Sequence, residues 1–273
     1  MPHPVPDPAK DPVDRLIELM ALLRSPGGCP WDREQTHVTL RPGLIEETYE
    51  VIDAIDAWGG TGDSSHLREE LGDLLFHLVF HARLAEERGD FTFRDTASDV
   101  VEKLIRRHPH VFGDASAGDT AAVLRNWDQI KKAEKPERTG TLDGVPLHLP
   151  ALMRAQEVQK KAAKVGFDWP DADGPREKIA EELREIVDAL AEGASKDKIA
   201  DEAGDLLFSV VNYLRHLKVD SETALAGATR KFEGRFRAVE AAAATAGKPL
   251  AKASHTIEEL EELWQNHKAT EAG

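Results

Sequence analysis

The sequence predicts an almost entirely α-helical protein built from two copies of one helical domain. Three observations carry this reading. Apolar residues recur at helical spacing, first at Leu16, Leu19, Leu22 and Leu23, then at Leu44, Val51 and Ile55, then at Leu71, Leu74, Leu75 and Leu78. Valine and isoleucine rarely alternate with polar residues, and only 6% of the chain is aromatic, so strand signals are sparse. Finally, the second half of the chain repeats the first in the same order.

The repeat can be followed element by element. CPWD (29–32) is answered by DWPD (168–171), IEETYEVIDA (45–54) by AEELREIVDA (180–189), and REELGDLLF (68–76) by ADEAGDLLF (200–208). VEKLIRRH (101–108) weakly matches TRKFEGRF (229–236), and RNWDQIKK (125–132) matches EELWQNHK (261–268). The spacings drift only at WGGTGDSSH (58–66) and EGASKD (192–197), which read as turns between helices. The expected organisation is a helical domain over 13–135, a proline- and glycine-rich linker over 136–150, and a second helical domain over 151–268.

Composition limits the function. The chain of 273 residues carries 50 acidic against 35 basic residues, a formal net charge of -15, which argues against a surface that neutralises a nucleic-acid polymer. The single cysteine, Cys29, excludes an intramolecular disulfide and a thiolate-rich metal site. The longest apolar run, LLFHLVFHA, is too short to span a bilayer, and the first residues lack a secretory pattern, so no membrane role and a cytoplasmic location are expected.

The acidic motifs carry the chemistry. On a helix, Glu47 and Glu50 lie one turn apart beside the apolar stripe, and Glu70 with Asp73 repeat that relation on the next helix. Glu182 with Glu185 and Glu202 with Asp205 repeat it in the second half. An acidic helix face is most often merely solvated, but two such pairs, each written twice beside a core stripe, call for another account. Four carboxylates at the edge of a seam repel one another unless a cation joins them. A set made only of oxygens suits Mg²⁺, with Mn²⁺ as a substitute, and lacks the Glu-x-x-His of di-iron bundles. Asp53 and Asp188, a further turn along, are expected to be structural, and His77 and His81 to be interior or interface groups.

These motifs, together with RRHPHVFG, LDGVP and QKKAAKVGFDWPD, resemble the MazG family of nucleoside triphosphate pyrophosphohydrolases over residues 13–268. The resemblance implies Mg²⁺-dependent hydrolysis of nucleoside triphosphates to the monophosphate and pyrophosphate, with broad base tolerance and a role in clearing aberrant nucleotides. It also implies a homodimer whose association completes the helical bundles. Carried onto this chain, the metal ligands are Glu182, Glu185, Glu202 and Asp205, with Glu47, Glu50, Glu70 and Asp73 as their N-terminal equivalents. The main activity is expected in the second half. There Lys231 and Arg235 would contact phosphate, Trp264 the base or ribose, and Glu181 would orient the attacking water. Trp169 is a further candidate to stack a base, and Lys161 a weaker one for phosphate. The competing reading is a non-catalytic helical adaptor whose acidic faces bind a basic partner.

Overall fold

The computed structural model describes residues 3–113, 118–134, 140–251 and 254–271. The part of the expected linker up to 139 lies outside the described residues, among which there is no strand. Among them, too, no helix is long and apolar enough to cross a membrane. The chain divides into two compact units, Met1–Glu134 and Lys135–Gly273.

The first unit contains α1 (Pro12–Arg24), α2 (Pro30–Glu34), α3 (Arg41–Thr61), α4 (Ser65–Glu87), α5 (Phe93–Arg107), α6 (Pro109–Phe112) and α7 (Thr120–Ala133). Helix starts follow local chemistry. Asp11 accepts from the amides of Val13 and Asp14 ahead of a proline in the first turn, and Thr92 forms a reciprocal capping box with Asp95. The apolar stripe of α4 packs on α1, where Met20, Leu40, Val79, Phe80 and Leu84 make a closed core flanked by Leu16, Ile17 and Leu75. Arg24 caps this core, with its guanidinium 5.4 Å from the Phe80 ring centroid and 2.8 Å from Glu87.

The second unit repeats the order with α8 (Ala151–Ala163), α9 (Asp173–Ala191), α10 (Lys196–His216), α11 (Ser221–Thr245) and α12 (Ile257–Glu271). The hairpin α9–α10 corresponds to α3–α4, α8 packs on α10 as α1 does on α4, and α11 pairs with α12. Its centre is more polar than the first unit's. Buried Gln156 donates to the Val219 carbonyl at 3.1 Å and accepts from the backbone and hydroxyl of Ser221, while Gln159 donates to the Phe208 carbonyl at 2.9 Å. Each amide reaches backbone groups at helix ends or between helices, fixing α8 against α10 and α11.

Two turns differ from the sequence reading. Helix α3 continues through Trp58 to Thr61, and only at Gly62, in a left-handed conformation with φ 73°, does it stop. In the second unit, α10 begins at Lys196 because the Ser195 side chain caps the Lys198 amide.

Several apolar residues are exposed, among them Ile55, Leu71 and Leu78 of the expected stripes. Ile45, Tyr49 and Ile52 lie on the face of α3 turned away from buried Ala54, and Leu183, Val187 and Leu190 form a similar strip on α9. Ile55, Leu71 and Leu78 are each about half exposed. Helix α3 packs chiefly on α4, and α9 chiefly on α10, so a helix that is apolar on two sides leaves one side open.

Candidate active site

Helices α3 and α4 bring three carboxylates together, and α9 and α10 bring three more. One oxygen each from Glu47, Glu70 and Asp73 lie within 4.8 Å of one another, and so do one each from Glu182, Glu185 and Glu202. Glu47 falls on the helical stripe that carries buried Val51 and Ala54, so packing the hairpin turns it inward. Glu70, Glu182 and Glu202 are buried, whereas Asp73 and Glu185 stand at the mouth. Glu50 and Asp205 complete neither group. The two copies thus use the expected positions unequally, the first taking Asp73 and the second Glu185.

The cations nearby differ as well. Lys178 sits 2.6 Å from Glu182 and 3.2 Å from Glu181, and Lys198 pairs with Glu202, each lysine one turn ahead of its buried acid on the same helix. The hydrogen bond from Lys198 holds the Glu202 carboxyl below its ordinary range, and both ammonium groups are raised above theirs by their hydrogen bonds to Glu182 and Glu202. Glu185 moves the other way. Its hydrogen bond with Glu182, then burial and the charges of Glu182 and Glu202, raise its affinity for a proton.

In the first unit the positions of the two lysines are held by Gly43 and His66, the latter 2.9 Å from Glu70. Glu47 is raised by burial first and then by Glu50, Asp73 and Glu70, and one of its oxygens is buried without a hydrogen-bond partner. Lys178 and Lys198 are the residues that the sequence reading missed. Their signal was present, since each lies one helical turn before a motif glutamate.

The remaining candidates lie elsewhere in the second unit. Lys231 and Arg235 are on α11, where the Phe232 ring lies tilted by 42° against Trp264 with centroids 5.3 Å apart and the Arg235 guanidinium lies 5.9 Å from the indole centroid. This cluster belongs to the α11–α12 pair, not to the acid-bearing hairpin. Lys161 donates to the Asp143 carbonyl at 2.6 Å, which ties α8 to the segment before it.

Trp169 lines a cavity of about 630 Å³ with Phe167, Phe208 and Gln159, and Gln159 Oε1 is buried there without a partner. None of the clustered acids lines it. The loop bearing Trp169 is anchored by Asp168, which pairs with Arg215 and lies 3.0 Å from His216. The Arg215 hydrogen bonds hold the Asp168 carboxyl down at about 2.

The donor set fits a hard divalent cation: carboxylates from two helices converge, one buried glutamate oxygen lacks any partner, and the charges repel when nothing joins them. Comparison with known proteins identifies the family. The MazG nucleotide pyrophosphohydrolase domain matches residues 35–112 and 175–239, which span both acid-bearing hairpins. The nucleoside triphosphate pyrophosphohydrolase of Escherichia coli (strain K12) is 46% identical over 95% of this chain and 98% of its own length. The nucleoside triphosphate pyrophosphohydrolase/pyrophosphatase MazG of Thermotoga maritima is also 46% identical, over 93% of this chain and 95% of that protein. A nucleoside triphosphate pyrophosphohydrolase of Mycobacterium tuberculosis is 37% identical over 69% of the chain. With two family segments on its two matching hairpins and such similarity along nearly its whole length, the chain belongs to the MazG family.

Proposed function

We propose that this protein hydrolyses nucleoside triphosphates to the monophosphate and pyrophosphate, and that the second unit is the main catalytic one. The observation that carries this is the convergence of Glu182, Glu185 and Glu202 with Lys178 and Lys198 at one place. The first unit has the acids but not the lysines. A triphosphate brings several negative charges to its site, and the second hairpin sets two lysines directly on its acids to meet them. The domains proposed to carry the two sites are 13–135 and 151–268.

Glu182, Glu185 and Glu202 would hold Mg²⁺, for which Mn²⁺ can substitute, and Asp205, one turn beyond Glu202 and outside the converging group, would join them only by a change of side-chain rotamer. When bound, the cation supplies neutralisation of phosphate charge and a positioned water. The side chains do the rest. Lys178 and Lys198, drawn from carboxylates to phosphate oxygens, orient the chain of phosphates, and Lys231 and Arg235 add positive charge from α11. Glu181, 3.2 Å from Lys178, would accept a hydrogen bond from the attacking water. Trp169 offers an indole face to a base, and Trp264 one to base or ribose. The exposed apolar strips on α3 and α9 support a homodimer, and the enzyme would act on the nucleotide pool of the cytoplasm.

The test is direct. The protein is incubated with each common triphosphate and Mg²⁺, and pyrophosphate is assayed beside orthophosphate. Pyrophosphate with monophosphate supports the reading; orthophosphate as first product points to stepwise dephosphorylation, and release of neither to the adaptor.

A further inference from the structure

Gln156 and Gln159 lie one turn apart on α8 and both are buried, yet they are used differently. Gln156 engages both ends of its amide, donating to the Val219 carbonyl and accepting from the backbone and hydroxyl of Ser221. Gln159 engages one. Its Nε2 donates to the Phe208 carbonyl at 2.9 Å, which fixes the orientation of the amide, and its Oε1 has no partner on the wall of the cavity beside Trp169. A buried acceptor left unmade is costly, so this oxygen calls for a donor from a ligand.

The cavity does not come with the repeated fold. Counting four residues on from the shared LLF run gives Phe80 on α4 and Asn212 on α10. Phe80 is wholly buried and fills the core of the first unit, whereas Asn212 lines the cavity of the second. Arg215 donates to Asn212 Oδ1 from Nε at 3.1 Å and from Nη2 at 2.7 Å, which ties Asn212 to the arginine of the Asp168 pair. At about 630 Å³ the space takes a purine ring, and Phe167 and Trp169 offer it aromatic faces. Phe208, on the same wall, stands six residues beyond Glu202 on α10, about 9 Å at 1.5 Å per residue. That separation suits a nucleoside with its phosphates toward the acids.

We propose that Gln159 determines base specificity, its Oε1 accepting an N–H from the Watson–Crick edge of a nucleobase seated against Trp169. Adenine and cytosine present an exocyclic amine on that edge, guanine an amine and a ring N–H, thymine and uracil a ring N–H. One acceptor thus admits every common base, and it rejects a base whose edge carries no N–H, because the oxygen then stays buried and unpaired. This rests on the reading that the second unit hydrolyses triphosphates, and the measurements keep the two apart.

Pyrophosphate release by the full-length protein is measured with ATP, with purine riboside triphosphate and with ethenoadenosine triphosphate. Neither analogue has an N–H on the edge. The expected kcat/KM for each is about 10- to 100-fold below that for ATP. Gln159→Leu brings the three to parity, chiefly by lowering turnover of ATP. Equal turnover of all three by the parent protein overturns the proposal without any variant, and so does a Gln159→Leu protein that keeps the parent's ratio, which would make the amide purely structural. If no triphosphate is hydrolysed, the hydrolase reading fails, and quenching of tryptophan emission by adenosine against purine riboside decides the base site alone. Stronger quenching by adenosine that disappears in Trp169→Phe upholds it; equal or absent quenching overturns it.

Discussion

Lys178 places its ammonium nitrogen 2.6 Å from Oε1 of Glu182, one of the acids proposed to hold the metal. Lysine and cation therefore compete for one carboxylate. Lys178→Met is expected to bind Mg²⁺ at least as tightly as the parent, because the competitor is gone, while kcat/KM for a triphosphate falls about 100-fold. Calorimetry with Mg²⁺ and steady-state kinetics read the two effects separately, and parallel loss of both would mean the lysine only shapes the site.

The two hairpins can be told apart by substitution. Glu182→Ala should lower pyrophosphate release by about 100-fold or more, and added chelator should abolish it in the parent protein. Glu47→Ala should leave most of the turnover. Full turnover in Glu182→Ala alongside loss in Glu47→Ala would move the catalytic site to the first unit.

Trp169 rests against the first turn of α9, where a Cβ at Gly174 would fall 2.4 Å from the indole. If the ring stacks a base, Trp169→Ala raises KM about 10-fold with little change in kcat, since stacking on an aromatic side chain contributes roughly 1–3 kcal/mol. Gly174→Ala, which dislodges the ring, should do the same. Unchanged KM in both variants would assign the tryptophan to structure alone.

Asp168 gives a pH signature. Its carboxyl is held at about 2 in the folded chain, against an ordinary 3.8. A depressed carboxylate contributes stability that is fully present above the unfolded value and disappears as pH falls through the folded one. Asp168→Asn should therefore lower the melting temperature at pH 7, and the difference from the parent should shrink between about pH 4 and pH 2. Thermal melts across that window check the sign.

Phe80 is fully buried between α1 and α4. Phe80→Ala should destabilise the first unit by about 3–5 kcal/mol, measured by denaturant unfolding. Turnover at low temperature should persist if catalysis belongs to the second unit.

Much of this was legible in the sequence, for identifiable reasons. Leu16 and Leu75 were placed in a core by periodicity alone, and Glu47, Glu70, Glu182 and Glu202 were marked as special because they sit beside such stripes twice. Which acid joins them was not legible, because Glu50 and Asp73, or Glu185 and Asp205, stand at equivalent helical offsets and only the three-dimensional packing separates them. Gln156 looks like any polar residue on a helix until Ser221 arrives opposite it from far along the chain. Ile45 and Tyr49 were recognisably apolar, yet a single chain offers nothing to cover them.

The clamp between Asp168 and Arg215 has one more consequence. It fixes the tryptophan loop to one end of α10, while Glu202 stands thirteen residues earlier on the same helix, about 20 Å away at 1.5 Å per residue. Helix α10 is thus a ruler with an aromatic mark at one end and an acidic mark at the other. Adding a single residue between the marks would lengthen it by only about 1.5 Å but rotate one end by about 100° against the other. Length changes inside α10 should be far less tolerated than substitutions along it, because the acids would turn away from α9 or the Arg215 clamp away from the tryptophan loop.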